Sequence, residues 1–255
     1  NLVSATAAGA AYNDKNVAGA NKVNYTGVAL TGAGAGNYAV ADTAQGAGTI
    51  TKRALTLGEV TAQTKTYDGT TAADASKFRA ALGNTIAGDN VTAAAATATF
   101  NDKNVAAANR IDYTGVALAG AGAGNYSLAA TTAQGAGSIT RRALTVDTVA
   151  AQSKTYDGTT DADAAEFRAT LGNLVAGEES SVTATAAGAS YNSKNVIGAN
   201  AVSYTGVALR GAGAANYTVA DTAQGAGTIT QRALTLGAVE SQSKTYDGTT
   251  TADAS

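Results

Sequence analysis

Aspartates and lysines are the side chains whose spacing first invites chemistry. Asp68 and Asp74 stand six residues apart around the string DGTT, and Asp157 and Asp163 repeat that spacing. Their oxygens make all four candidate calcium ligands, but calcium asks for about six to eight oxygens and the spacing is not that of an EF-hand. The same residues suit one turn and one helix N-cap, and the sequence favours that use. Lys65 and Lys154 open the string KTYDGTT, while Lys15, Lys103 and Lys194 precede Asn-Val. A lysine held near Asn and an acid can close an intramolecular isopeptide bond; solvated lysines that block strand edges are the commoner use. No Glu recurs at a matched position, which argues against the paired acids of glycoside hydrolysis.

The absent residues exclude more than the present ones suggest. The 255 residues include no His, Cys, Met, Trp or Pro. Without His and Cys there is no imidazole or thiolate metal site, no Ser-His-Asp triad and no Cys nucleophile. No catalytic residue and no cofactor are therefore expected, and the chain reads as a non-enzyme. A net charge of −2, with 17 basic and 19 acidic residues scattered singly, gives no footprint for nucleic acid. No apolar run reaches the roughly 18 residues of a spanning helix, so no direct membrane insertion is expected. The lack of Met implies an excerpt or a processed product.

Large apolar side chains are scarce. Of the 45% hydrophobic residues, 63 are Ala, alongside 11 Tyr and 3 Phe. All the aromatics fall at matched positions in a repeat. Tyr12, Phe100 and Tyr191 correspond, as do Tyr25, Tyr113 and Tyr204, and Tyr38, Tyr126 and Tyr217. Tyr67, Tyr156 and Tyr246 form a fourth set, and Phe78 with Phe167 a fifth. Rings at fixed places can stack on sugars, but a chain so poor in other bulk needs them first as its core.

The elements that must position these residues come from that repeat. KTYDGTT begins at Lys65, Lys154 and Lys244, 89 and 90 residues apart, and YTGVAL at Tyr25, Tyr113 and Tyr204. The spacing gives two complete repeats, 59–147 and 148–238, between partial repeats 1–58 and 239–255. Alternating β-formers such as 111–118, IDYTGVAL, between Gly- and Asn-rich turns predict several short strands per repeat. GAGAG occurs at a fixed place in the repeat, which marks a loop and not a silk-like tract. A capping pattern at Asp163 and Glu166, ahead of Phe167, Leu171 and Gly172, predicts one short helix, with the same frame from Asp74 to Gly83. The expected fold is mainly β: tandem small β-sandwich (Ig-like) repeats of about 90 residues, each with one short helix. A β-grasp-like sheet plus helix is the alternative.

The strings KTYDGTT, NDKNV, YTGVALTGAGAGNY and ITKRALT together resemble the YDG-type repeat of very large bacterial surface proteins. These are exoproteins of the filamentous-haemagglutinin kind, exported by two-partner secretion. The chain departs from the usual pattern in lacking Pro between repeats and in a longer stretch around Phe78 and Phe167. The resemblance implies β-rich tandem domains, a Gram-negative source, an extracellular or cell-surface location, and a part in adhesion or biofilm. It supplies no catalytic residues.

Two functions follow as expectations. One is the structural shaft of an adhesin or matrix fibre, whose partners are its own adjoining repeats. The other is a carbohydrate-binding array that holds extracellular polysaccharide through avidity. Asn24, Asn125 and Asn216 each open an N-x-Ser/Thr triplet, which matters only where a glycosyltransferase meets the chain. The partial repeats carry a further expectation. Residues 239–255 hold an opening strand that 1–58 lacks, so copies are expected to associate end to end, the C-terminal segment of one completing the start of another.

Overall fold

Residue alternation fixes the strands. In Arg110–Thr114 the side chains of Ile111 and Tyr113 point to the core and are fully buried, while Arg110 and Thr114 face out. Ala201–Thr205 repeats this with Val202 and Tyr204. The computed structural model describes residues 2–253; Asn1, Ala254 and Ser255, at the outer ends of the two partial repeats, lie outside it.

Two compact units divide the chain. Unit 1 runs to Arg142 and takes in Ala215–Tyr217; unit 2 comprises Ala143–Ala214 and the residues from Thr218 onward. In unit 1 a four-stranded sheet is ordered Thr97–Phe100, Arg110–Thr114, Thr132–Thr140, Gln63–Thr66. Its first two pairings are antiparallel and the last is parallel. A three-stranded sheet joins Tyr126–Leu128, Arg53–Val60 and Ala80–Gly83, and Thr92–Ala94 pairs with Ala117–Ala119. The first partial repeat contributes Gly9–Tyr12, Lys22–Thr26 and Thr43–Ala47 as a third sheet, with Ser4–Thr6 paired to Ala29–Thr31.

Unit 2 repeats the four-stranded sheet as Gln152–Thr155, Thr222–Thr230, Ala201–Thr205, Gly188–Tyr191. Thr145–Val149 pairs with Ala169–Gly172, and Thr183–Thr185 with Ala208–Arg210. The architecture is mainly β and consistent with a β-sandwich-like fold.

Glycine makes the thin core possible. In Thr132–Thr140 the inward positions include Gly135 and Gly137. A Cβ on Gly137 would stand 2.6 Å from Ile111 Cγ1 and 2.9 Å from a Phe100 ring carbon, so Ile111 and Phe100 together occupy the room a side chain would take. The glycines of QGAG thus make room for neighbouring core side chains, aliphatic and aromatic alike.

The short helix is the point where expectation and structure part. Ala75–Lys77 and Ala164–Glu166 are single 3-10 turns, and among the described residues there is no α-helix, which removes the β-grasp alternative. Phe78 and Phe167 already leave helical conformation, at ψ 122° and 116°. Leu82 and Leu171, expected on the helix, lie in strands paired to Thr56–Val60 and Thr145–Val149. A single isolated turn gains little from helical cooperativity, whereas a waiting strand edge supplies backbone partners to the residues that follow. The left-handed residue is Asn84 or Asn173, not the preceding glycine.

Candidate functional site

The string KTYDGTT closes on itself. Lys65 Nζ donates to Asp68 Oδ1 at 2.7 Å, to the Thr70 carbonyl at 2.9 Å and to the Ala72 carbonyl at 2.9 Å. Asp68 Oδ1 also accepts from the Thr70 amide and hydroxyl, both at 2.9 Å. The ammonium sits 5.4 Å from the centre of the Phe100 ring. Lys154, Asp157, Thr159 and Asp161 repeat the knot over Tyr191. Lys65 and Lys154 are therefore internal staples and not solvated edge lysines. Lys15, Lys103 and Lys194 are the exposed ones.

Burial works against the Asp68 carboxylate, yet the hydrogen bonds from Lys65 and Thr70 prevail and its pKa is lowered. Lys154 and the Thr159 amide lower Asp157 to about 2. Asp74 and Asp163 accept from the amides of Ser76 and Ala165, as N-caps of the 3-10 turns. All four calcium candidates thus spend oxygens on turn and cap donors. Among the described residues no group of three or more acidic side chains gathers.

Behind the knot lies the aromatic core. Phe78 and Tyr113 meet edge to face at 4.9 Å between ring centres, and Phe167 and Tyr204 meet tilted at 56° with centres 4.7 Å apart. The Tyr113 hydroxyl accepts from Gln63 Nε2 at 2.7 Å; Gln152 serves Tyr204 at 2.8 Å. The same amides reach the carbonyls of Asp74 and Asp163. Each buried glutamine thereby ties the parallel strand, the 3-10 turn and the core tyrosine together. Burial raises the pKa of both tyrosines.

A third arrangement is a reciprocal asparagine clip. Asn104 Oδ1 accepts from Asn216 Nδ2 at 2.9 Å, and Asn216 Oδ1 accepts from the Val105 amide at 2.9 Å, all within unit 1. Asn125 makes the same two bonds to Asn16 and Val17. The side-chain amides of Asn125 and Asn216 are thus engaged, and that of Asn24 accepts from Gln45 Nε2 at 3.0 Å. Beside one clip, Tyr217 meets Tyr67 edge to face at 5.3 Å. Beside the other, Tyr126 donates to Asp89 at 2.5 Å and its strand pairs in parallel with Arg53–Leu55.

The sequence-predicted aromatics divide accordingly. Tyr113, Tyr204, Phe78 and Phe167 lie inside the repeats, and Tyr67, Tyr126 and Tyr217 at the clips. Tyr156 is part-exposed. Sequence reading missed Gln63, Gln152 and the clip asparagines. Their signal is present, because AQ or SQ stands two residues before each repeated Lys and Asn precedes each GNY or ANY tyrosine.

These arrangements close turns, fill the core and join side chains one repeat apart. The YDG domain family model matches residues 51–133 and 140–224, two tandem copies that cover more than half of the chain. Both matches open at or before the RAL strand, ahead of the boundaries at 59 and 148 read from the sequence. No curated protein and no solved structure matches the chain. Among the described residues no helix is long and apolar enough to cross a membrane.

Proposed function

Because the chain belongs to the YDG domain family, we propose that it is a segment of a structural shaft, in which tandem domains hold a binding region away from a bacterial surface or build a matrix fibre. The observation that carries this reading is the clip. Asn16 with Asn125 and Asn104 with Asn216 are the same contact made twice, one repeat apart, by side chains the repeat supplies in every copy. A contact of this kind lets neighbour interfaces add stability that each alanine-rich core lacks alone. Location at the cell surface and export by two-partner secretion belong to the same proposal and rest on the resemblance.

The carbohydrate-binding array is the second reading, favoured by the exposed rings of Tyr12, Tyr38 and Tyr246. A glycan array probed with this chain, beside small-angle scattering of arrays of two and four copies, separates the two. A maximum dimension that grows in proportion to copy number, with no glycan bound, supports the shaft. Millimolar or tighter glycan binding lost on replacing the exposed tyrosines overturns it.

A further inference from the structure

We propose that each complete repeat is a force-bearing module whose clamp is the parallel ladder between the first and last strands of its four-stranded sheet. These are Gln63–Thr66 with Gly137–Thr140 in unit 1 and Gln152–Thr155 with Gly227–Thr230 in unit 2. A clamp adds to the shaft reading the element that carries tension, and depends on that reading only for the source of the load.

Strand direction decides how the ladder meets a pull. Gln63 stands opposite Gly137, Lys65 opposite Ile139 and Thr66 opposite Thr140, with both strands running the same way. Tension passed along the backbone enters this pair just before Gln63 and leaves it just after Thr140. In a parallel pair those two points lie at opposite ends of the ladder. The pull therefore slides one strand along the other and loads all the evenly spaced hydrogen bonds together. Two strands drawn apart from the same end would lose those bonds one at a time.

Among the described residues Gln63–Thr66 and Gln152–Thr155 are edge strands, each with one neighbour in its sheet. The ladder runs on past the strand, where the Tyr67 amide donates to the Thr140 carbonyl at 2.9 Å, as the Tyr156 amide does to Thr230. Side chains then pin the strand that must slide. Thr64 Oγ1 and Ser138 Oγ lie 2.9 Å apart across the ladder, and Thr140 Oγ1 reaches the Lys65 carbonyl at 3.3 Å. Gln63 Nε2 crosses to the Tyr113 hydroxyl on Arg110–Thr114, two strands away, so sliding must also break a buried bond. Gln152 does the same through Tyr204.

Lys65 fastens the far end of the strand. Its ammonium bonds Asp68 and the carbonyls of Thr70 and Ala72, and Ala72 bridges to Thr99 in Thr97–Phe100, at the opposite edge of the sheet. Lys154 and Asp161, which bridges to Ser190, repeat the arrangement in unit 2. Load on the first strand thus reaches both edges of its sheet. Ladder, glutamine and lysine recur in both complete repeats, so tension along a row of repeats meets the same clamp in each.

The chain has no Cys, so a pair of introduced cysteines fixes where a pull is applied. DNA handles on Ala62→Cys and Arg141→Cys draw the ladder in shear, and handles on Thr66→Cys and Arg141→Cys peel the same ladder from one end; all three positions are exposed. Optical-tweezers pulling of the full chain should give a rupture force about twofold or more higher in shear than in peeling, because the ladder bonds share the load only in shear. Ala151→Cys or Thr155→Cys, each with Gln231→Cys, repeats the comparison in unit 2, again at exposed positions. Equal forces in the two geometries, from variants with the same melting temperature, overturn the clamp. The shaft reading would then still rest on its own test of dimension against copy number, since a row of repeats can hold its length without resisting tension.

Discussion

Tyr113 and Tyr25 stand at the same place in the same string, YTGVAL, yet Tyr113 is wholly buried and Tyr25 only half so. Both lie on short antiparallel strands with the same neighbours in register, Ala98 and Ala133 for one, Ala10 and Ala44 for the other. The sheet is not what differs. Tyr113 also has Phe78 on its ring and Gln63 on its hydroxyl, contributed by chain 35 and 50 residues upstream. Among the described residues no Phe ring and no Gln amide meets Tyr25 in the same way. Alternation puts a ring on the inner face; a second layer makes that face a core. The knot behaves differently. Lys244 donates to Asp247, Thr249 and Thr251 in the exposed tail much as Lys65 does within its repeat. Turn chemistry is local, and burial is not.

The comparison breaks first at the tyrosines. Replacing Tyr113 or Tyr204 with Ala should cost about 3–5 kcal/mol, as large core truncations do. Tyr25→Ala should cost about 1 kcal/mol or less, the toll of an ordinary partly exposed site. Urea unfolding followed by tyrosine fluorescence measures all three. Equal losses at Tyr25 and Tyr113 would mean that the second layer is not what gives the ring its worth.

Gln63→Ala and Gln152→Ala come next, at about 1–3 kcal/mol each, because each leaves a buried hydroxyl without its donor. Gln242→Ala is the contrast. It stands at the same repeat position in the exposed tail, where Nε2 reaches only the Asp253 carbonyl, and thermal unfolding should not move.

How much of this the sequence discloses depends on distance along the chain. Strand alternation and the loop role of GAGAG are legible because each is written within about ten residues; the core role of Tyr113, Tyr204, Phe78 and Phe167 is read from their recurrence and from the scarcity of other bulk. The 3-10 turns look helical because Asp163, Glu166 and Phe167 satisfy local capping rules, and nothing local announces the strand Thr145–Val149 waiting to pair. Gln63 to Tyr113 and Asn104 to Asn216 span 50 and 112 residues. No periodicity encodes such pairs, and only their recurrence in each repeat hints at them. Gly137 lies inside a strand, and nothing near it in the sequence announces that Ile111 and Phe100 fill the place of its side chain.

Asn216→Ala should cost about 1–2 kcal/mol, since it removes one bond to Asn104 and one to Val105 from a buried site. Asn37→Ala, in the exposed GNY, should leave the melting temperature of dilute chain unchanged. Calorimetry on both variants sharpens the contrast between the docked and the bare asparagine. A matched loss at Asn37 would show that the residue serves its own loop and not the clip.

The smallest effect concerns acid, and it tests whether the knot is as local as the tail suggests. Asp157 is lowered from 3.8 to about 2 by Lys154 and Thr159. A depressed folded-state pKa gives stability that is present above the unfolded value and lost as pH falls through the folded one, here between about pH 4 and pH 2. That holds in full only if the unfolded chain releases the knot. Asp247 carries the knot without a core around it, and the Thr249 amide and Lys244 lower its pKa too. A knot that persists without its core also lowers the unfolded-state pKa of Asp157, and the linkage shrinks with the difference between the two states. Asp157→Asn should therefore flatten the acid limb of the melting curve only slightly. Carboxyl titration by NMR should find Asp247 below 3.8 in the same chain. An ordinary value at Asp247 with a steep acid limb lost in Asp157→Asn would reverse the conclusion, making the knot a product of the core that covers it.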